Sequence, residues 1–419
     1  MSGPRLPGIA AANREAIARL VAADPVLVDC VPAGDALGLG DRLVLHAGPP
    51  IAWAAMCPPL RGAVVGAIRY EGWAATDEDA ERLAATGGVR FEPCHHHGAV
   101  GPMTGLVTRS MPLFVVENRA FGNRAHVAIN EGLGRVLRFG AHDAPVLERL
   151  AWLRDEAGPL LGRALRRSGG VPLRSLMAQA LLMGDEMHQR NVAASSLLAR
   201  ALLPRLCEDA REPGLARLAA FVCGNDQFFL NVAMAAAKAA TDSAADVPGS
   251  TIVTAMARNG TEFGIRVAGC GAHWFTAPVE TPVGLFFPGF GPDDANPDMG
   301  DSAIVETIGL GGMAMAASPA AARFVGAGGL EAALAATADM REITLGEHPH
   351  LRIATDGDRG VPVGIDVRRV VETGITPLIT TGIAGRRAGT GQVGAGTVRA
   401  PLGCFTAALD ALARSRGAA

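Results

Sequence analysis

Met183-Gly184-Asp185-Glu186-Met187-His188-Gln189-Arg190-Asn191 is a polar island inside an otherwise apolar run. From residue 175 to 206 the only proline is Pro204, and Leu176, Ala180, Met183, Met187, Ala194 and Leu198 recur at the spacing of one helix face. The stretch therefore reads as one long, mostly buried helix. On it Asp185, His188 and Gln189 stand three and four residues apart and share a face, while Glu186 and Arg190 form a second pair four apart. Burying such groups without partners costs on the order of 1–3 kcal/mol each. Two readings follow. One is a buried network joining domains, with Asp185 orienting His188 and Glu186 pairing with Arg190. The other is a catalytic cluster of Asp185, Glu186, His188 and Arg190, in which His188 exchanges protons near neutral pH and Asp185 holds its tautomer.

Outward from this stretch, 419 residues allow two or three domains, and 49% hydrophobic residues suffice for sizeable cores. Before residue 146, helix-like and strand-like segments alternate. A helix is expected over 13–23, strands at 26–29, 42–46, 89–92 and 112–116, a glycine-broken apolar segment at 62–70, and a helix over 77–85 capped by Thr76. Residues 146–245 read as helices throughout, the last opening at Asn225-Asp226-Gln227. Strand-like segments return at 251–256, 263–267 and 284–287, mixed with helices over 311–322, 330–341 and 401–414, and Asn259-Gly260 marks a hairpin turn. The expected class is α+β, with two mixed α/β lobes (1–145 and 246–419) around an all-helical middle domain (146–245).

Net charge is -3 with both signs scattered, and no Lys/Arg cluster is interleaved with aromatics, which argues against nucleic acid and anionic membranes. The seven cysteines are dispersed and never form C-x-x-C, the pattern of a reduced, cytoplasmic protein. Residues 1–12 lack the apolar core of a signal peptide. The longest uncharged apolar stretch, 307–322, has 16 residues with three glycines and a proline, too short and too broken to span a bilayer.

His95, His96 and His97 follow a strand and precede a glycine-bearing loop. Metal ligation, loop hydrogen bonding and substrate contact by His95 and His96 all remain open, although three adjacent histidines cannot comfortably share one metal. Asp293, Asp294, Asp298 and Asp301 miss the calcium-loop spacing and read better as a turn, with Asp301 capping the next helix. Gly389 to Gly394 matches G-x-G-x-x-G, but that fingerprint should open a βαβ unit and the sequence stops at Ala419. What remains is a glycine-rich loop over 389–396, including Gly391, Gly394 and Gly396, followed by Arg399: a phosphate or carboxylate site, or a plain tight turn. Asn225 and Arg258 are further candidates for substrate contact. No G-x-S-x-G elbow, Walker loop or H-E-x-x-H occurs, so no cofactor and no metal is expected. The residues alone describe an enzyme-like protein handling a small anion.

Several longer motifs narrow this. His46-Ala-Gly-Pro-Pro50, Cys94-His-His, Gly98-Ala-Val-Gly-Pro-Met103, the 183–191 stretch, Asp226-Gln-Phe-Phe-Leu-Asn231, Ala295-Asn-Pro-Asp-Met-Gly-Asp-Ser302, Val371-Glu-Thr-Gly-Ile-Thr-Pro-Leu378 and Gly394-Ala-Gly-Thr-Val-Arg-Ala-Pro401 together resemble the YlbE/AllG-type proteins, nearly end to end. That resemblance implies a subunit of the oxamate carbamoyltransferase of allantoin breakdown, working with FdrA-like and YlbF-like subunits. The implied reaction converts oxalurate and phosphate to oxamate and carbamoyl phosphate. It carries no assigned site residue with it. The S-T-R-T and H-P-x-Q motifs of familiar carbamoyltransferases are absent, His348-Pro349 lacking the glutamine. The combined expectation places Arg399 and the Gly391 to Gly396 loop on phosphate, His188 as acid/base oriented by Asp185, and His95, His96, Asn225 and Arg258 on substrate. The alternatives are a related transferase or C–N cleaving enzyme acting on another ureido or cyclic-imide acid, and a non-catalytic binding subunit. A homo-oligomer is also open.

Overall fold

The computed structural model describes residues 8–208 and 213–417; residues 1–7, part of the segment read for a signal peptide, lie outside them. At its centre is the helix Phe228–Asp242, buried from Phe228 through Thr241. Six of its residues are alanine, so neighbouring elements approach closely on every side. One side packs on a five-stranded sheet ordered Ala99–Val100, Arg124–Ala128, Pro112–Asn118, Pro25–Pro32, Val171–Pro172. Another packs on the 3-10 helix Ser302–Ile308. This central helix thereby ties the first part of the chain to the last.

The remaining strands form four smaller sheets. Leu43–His46 pairs in parallel with Arg90–Pro93. Phe275–Pro278, Glu262–Val267, Val253–Asn259 and Met299–Gly300 make a four-stranded sheet, and Gln392–Arg399 lies between Val283–Phe286 and Leu378–Ala384 in a three-stranded one. Thr344–Ile353 pairs with Arg359–Ile365. The molecule is a mixed α+β fold. Its largest core cluster draws residues from Leu20 to Val363, and Val171–Pro172 adds an edge strand to the sheet of the first part, so the 146–245 stretch is not helical throughout as expected and shares apolar contacts with that sheet.

Local signals formed as their chemistry requires. Thr76 caps Asp77–Ala85 by accepting from the Asp79 N–H at 3.1 Å. Gly260 turns the Val253–Asn259 and Glu262–Val267 hairpin at φ +83°. Two further segments differ from expectation. Residues 62–70 belong to an unbroken helix, Pro58–Tyr70, in which Gly62 admits the Gly140 carbonyl, 2.6 Å from where a Cβ would stand. The glycines serve close packing rather than a break. Residues 311–322 form a 3-10 segment, Gly311–Ala317, and a separate short helix, Pro319–Phe324.

Candidate active site

The 183–191 stretch is not helical. The preceding helix, Leu173–Leu182, ends as Gly184 enters the left-handed region at φ +90°, and a new helix starts at Val192–Cys207. Between them the chain folds around a carboxylate: Glu186 accepts the backbone N–H groups of His188, Gln189 and Arg190. Three such bonds satisfy donors that a continuous helix would have sent four residues back, which is why the apolar periodicity does not prevail here. Asp185 accepts from Arg190 Nε at 2.9 Å and caps the second helix through the Ala194 N–H at 2.9 Å. The expected Glu186–Arg190 pair is thus replaced by Asp185–Arg190. Burial raises the Glu186 carboxyl to about 7 and also raises Asp185.

His188 is oriented by Glu306, 118 residues away in sequence, and not by Asp185. His188 Nδ1 lies 2.7 Å from Glu306 Oε1, which also accepts the Gly312 N–H at 3.1 Å. The Gly311 N–H donates to the Glu186 carbonyl at 2.8 Å, locking the two segments together. Gly311 sits at φ +57°, and a Cβ there would stand 2.2 Å from Glu306 Oε1. Only glycine admits this carboxylate beside the imidazole. Because Glu306 takes Nδ1, the imidazole has Nε2 left for the cavity that His188 lines.

That cavity is the inner end of a cleft. The outer part, about 360 Å³, lies between the 183–191 turn, Asp226-Gln227 and the apolar side chains of Leu133, Phe287 and Phe324. Gln189, Gln227 and Gln392 line both parts and join them. The inner part, about 10 Å³, is bounded by His188, Arg138, Phe139, Met103 and Ser302. Three amides, an imidazole and a guanidinium thus converge on one passage. Glu306, Arg138, Gln227 and Gln392 had not been singled out from the sequence. Gln227 ends the quoted Asn225-Asp226-Gln227 helix opening, and Gln392 lies inside the quoted glycine motif, so both were within reach.

The other candidates lie elsewhere. Gly394 and Gly396 belong to the central strand Gln392–Arg399, paired on both sides, and a Cβ on either would strike the neighbouring strand's carbonyls at 2.4 and 2.5 Å. Their backbone groups serve the ladder, which removes the expected open phosphate loop. Gly391 packs against the Gly134 backbone. Arg399 stands at the far end of that strand, ~24 Å from Gln392 at strand rise, where it binds the Thr376 carbonyl at 2.7 Å and pairs loosely with Asp339. Arg258 is fully buried and bonds Asp298 through Nε and Nη2 at 2.7 and 3.1 Å, a structural pair with no hydrogen bond left over for substrate. Asn225 fixes the Gln227 loop by accepting the Gln227 N–H at 3.0 Å and donating to the Asn130 carbonyl at 3.0 Å.

The histidines form a second buried group. His95 is held below its ordinary range chiefly by burial; its Nε2 is 3.6 Å from Asp301, and neither ring nitrogen has a hydrogen bond. The Trp274 indole N–H donates to His96 Nε2 at 2.9 Å. Asp301 does not cap the helix after it; its oxygens accept the Gly48 and Gly101 N–H groups at 2.8 and 3.0 Å. Among the described residues, no three His, Cys, Asp or Glu side chains are placed to hold a metal. No single described helix is long and apolar enough to cross a membrane.

Comparison with known proteins gives this geometry a context. Residues 89–302 match the family described as oxamate carbamoyltransferase subunit AllG. The chain is 52% identical to the Escherichia coli (strain K12) protein of that name over 413 residues, 98% of this chain and 99% of that one. It is 44% identical to the uncharacterized E. coli protein YahG, covering 97% of this chain and 86% of that one. The crystal structure of a conserved protein of unknown function from Enterococcus faecalis V583 superimposes with a TM-score of 0.95 at 44% identity, covering 97% of this chain and 98% of that one. With identity of this level running through nearly its whole length, the chain belongs to the AllG family.

Proposed function

We propose that this chain is a subunit of a cytoplasmic carbamoyltransferase that interconverts oxalurate plus phosphate with oxamate plus carbamoyl phosphate in purine-nitrogen breakdown, assembled with FdrA-like and YlbF-like subunits. The name borne by its E. coli relative supports the reaction class. The observation that carries the reading is the Glu306–His188 pair at the inner end of the cleft.

The chemistry needs such a pair. A phosphate oxygen attacks the ureido carbonyl carbon of oxalurate, the bond from that carbon to the oxamate nitrogen breaks, and the departing nitrogen must take a proton. An amide anion is a poor leaving group, so the proton has to arrive as the bond breaks. His188, protonated at Nε2, supplies it, and Glu306 on Nδ1 fixes the ring and stabilises the imidazolium. In reverse, neutral His188 removes the proton from oxamate nitrogen as it attacks carbamoyl phosphate. Gln189, Gln227 and Gln392 offer amide N–H groups to the oxygen that gains charge in the tetrahedral intermediate.

The test is a carbamoyl-transfer assay on the chain with its partner subunits, supplying oxamate and carbamoyl phosphate and following phosphate release with identification of oxalurate. His188→Ala should co-purify with the partners yet lose about 10²–10⁴-fold in rate, the range of one general acid/base. An assembled His188→Ala complex with wild-type turnover would exclude the proton-transfer role and leave this chain a binding subunit.

A further inference from the structure

Arg138 is a buried cation that makes no direct ion pair among the described residues, the Glu131 carboxylate acting on it only through space. It is 7% exposed, Nη2 donates to the Gly132 carbonyl at 2.7 Å, its Cζ lies 5.1 Å from the Phe139 ring centroid, and Nε has no hydrogen bond. Neighbouring Glu131 turns its oxygens to the Leu137 and Arg138 backbone N–H groups at 2.9 and 3.2 Å, not to the guanidinium. Burial lowers Arg138 only to about 10, so it stays charged at neutral pH. A bound anion would give the guanidinium the direct hydrogen-bonded partner that Glu131 does not, and Arg138 lines the cavity that His188 also lines.

The donor edge of the guanidinium selects the anion. The guanidinium carbon lies 5.1 Å from the Phe139 ring centroid, and the inner cavity, about 10 Å³, leaves the space of about one water, which one oxygen of an anion seated in the outer cleft can take. What Arg138 offers is its N–H edge, which matches the two coplanar oxygens of a carboxylate. The outer cleft, about 360 Å³, has the room a phosphate needs.

We propose that Arg138 anchors the carboxylate of the substrate's oxamate half side-on, which turns the amide nitrogen of that half toward His188. This assignment rests on the reading of the cleft as the carbamoyl-transfer site. It makes Arg138 the residue that selects an acid over the corresponding neutral amide.

The experiment is a calorimetric titration of the full chain, alone and in the assembled complex, with oxamate, with oxamide as the neutral counterpart, and with inorganic phosphate. Wild type should prefer oxamate to oxamide by at least ten-fold. Arg138→Met should erase that preference without weakening oxamide or phosphate, and Arg138→Lys should restore part of it. In turnover, Arg138→Met should raise KM for oxamate ten-fold or more while leaving KM for carbamoyl phosphate unchanged. An unaltered preference in Arg138→Met, a loss of phosphate binding in place of oxamate binding, or no oxamate binding by either chain or complex would overturn the assignment. Failure of the parent reading looks different: a complex that transfers no carbamoyl group but binds oxamate through Arg138 keeps the anchor and loses the reaction. Normal transfer with an unchanged oxamate KM in Arg138→Met keeps the reaction and loses the anchor.

Discussion

Two arginines are buried in this molecule under opposite circumstances. Arg258 gives two bonds to Asp298 and others to the Gly300 carbonyl, Ser302 and Thr381, so that its charge is neutralised inside the protein. Arg138 bonds one carbonyl, leaves Nε unpaired and lines a cavity. Burial of a charge therefore does not by itself mark a functional residue. What separates the two is whether the fold supplies the partner. Arg258 holds the Met299–Gly300 strand and the following 3-10 helix in place, and that helix carries Glu306 to His188. Arg138 has no direct ion-pair partner among the described residues, Glu131 acting on it only through space.

The comparison can be broken by stability measurements. Asp298→Ala removes the partner of Arg258 and should cost about 3–5 kcal/mol in urea unfolding, because an uncompensated buried charge remains. Arg138→Met removes a charge that has no direct partner and fills similar volume, but takes from Glu131 its nearby cation, so it should cost less than Asp298→Ala, no more than about 2 kcal/mol. A loss from Arg138→Met as large as that from Asp298→Ala would mean the two sites are alike, and the contrast would fall.

A smaller effect sharpens the picture at Asp301, next to the Arg258 network. Burial first of all raises its carboxyl from 3.8 to about 7. A raised carboxyl binds its proton more tightly when folded, so its contribution is complete below about pH 4 and is lost as pH rises through about 7. The advantage of wild type over Asp301→Asn should therefore shrink between pH 5 and pH 8 in matched urea titrations. A difference that stays constant across that range would mean that Asp301 is ionised throughout it.

Much of the architecture was legible because its causes are local. The Thr76 cap, the Asn259-Gly260 hairpin and the Leu330–Glu342 helix each follow from a few adjacent residues. The site was only half legible. Its polar island was visible, and Gly184 stood in plain view as a helix terminator, but apolar periodicity on both sides outweighed one glycine. Glu306 was invisible as the partner of His188 because it lies in a short apolar 3-10 helix with no pattern of its own. The Gly389 to Gly396 stretch failed for a related reason: glycines that permit close strand approach look, in one dimension, like glycines that free a phosphate loop.

The amino-acid sequence by itself determined the α+β class, the family and the position of the polar island, since composition, periodicity and long motifs are properties of the chain. Only the tertiary structure decided which of the buried polar groups are satisfied and which face a cavity. Hydrogen bonds and ion pairs act over about 3 Å in space with no regard for separation along the chain. His188 and Glu306 are 118 residues apart and meet only because the central helix and two glycines bring their segments together.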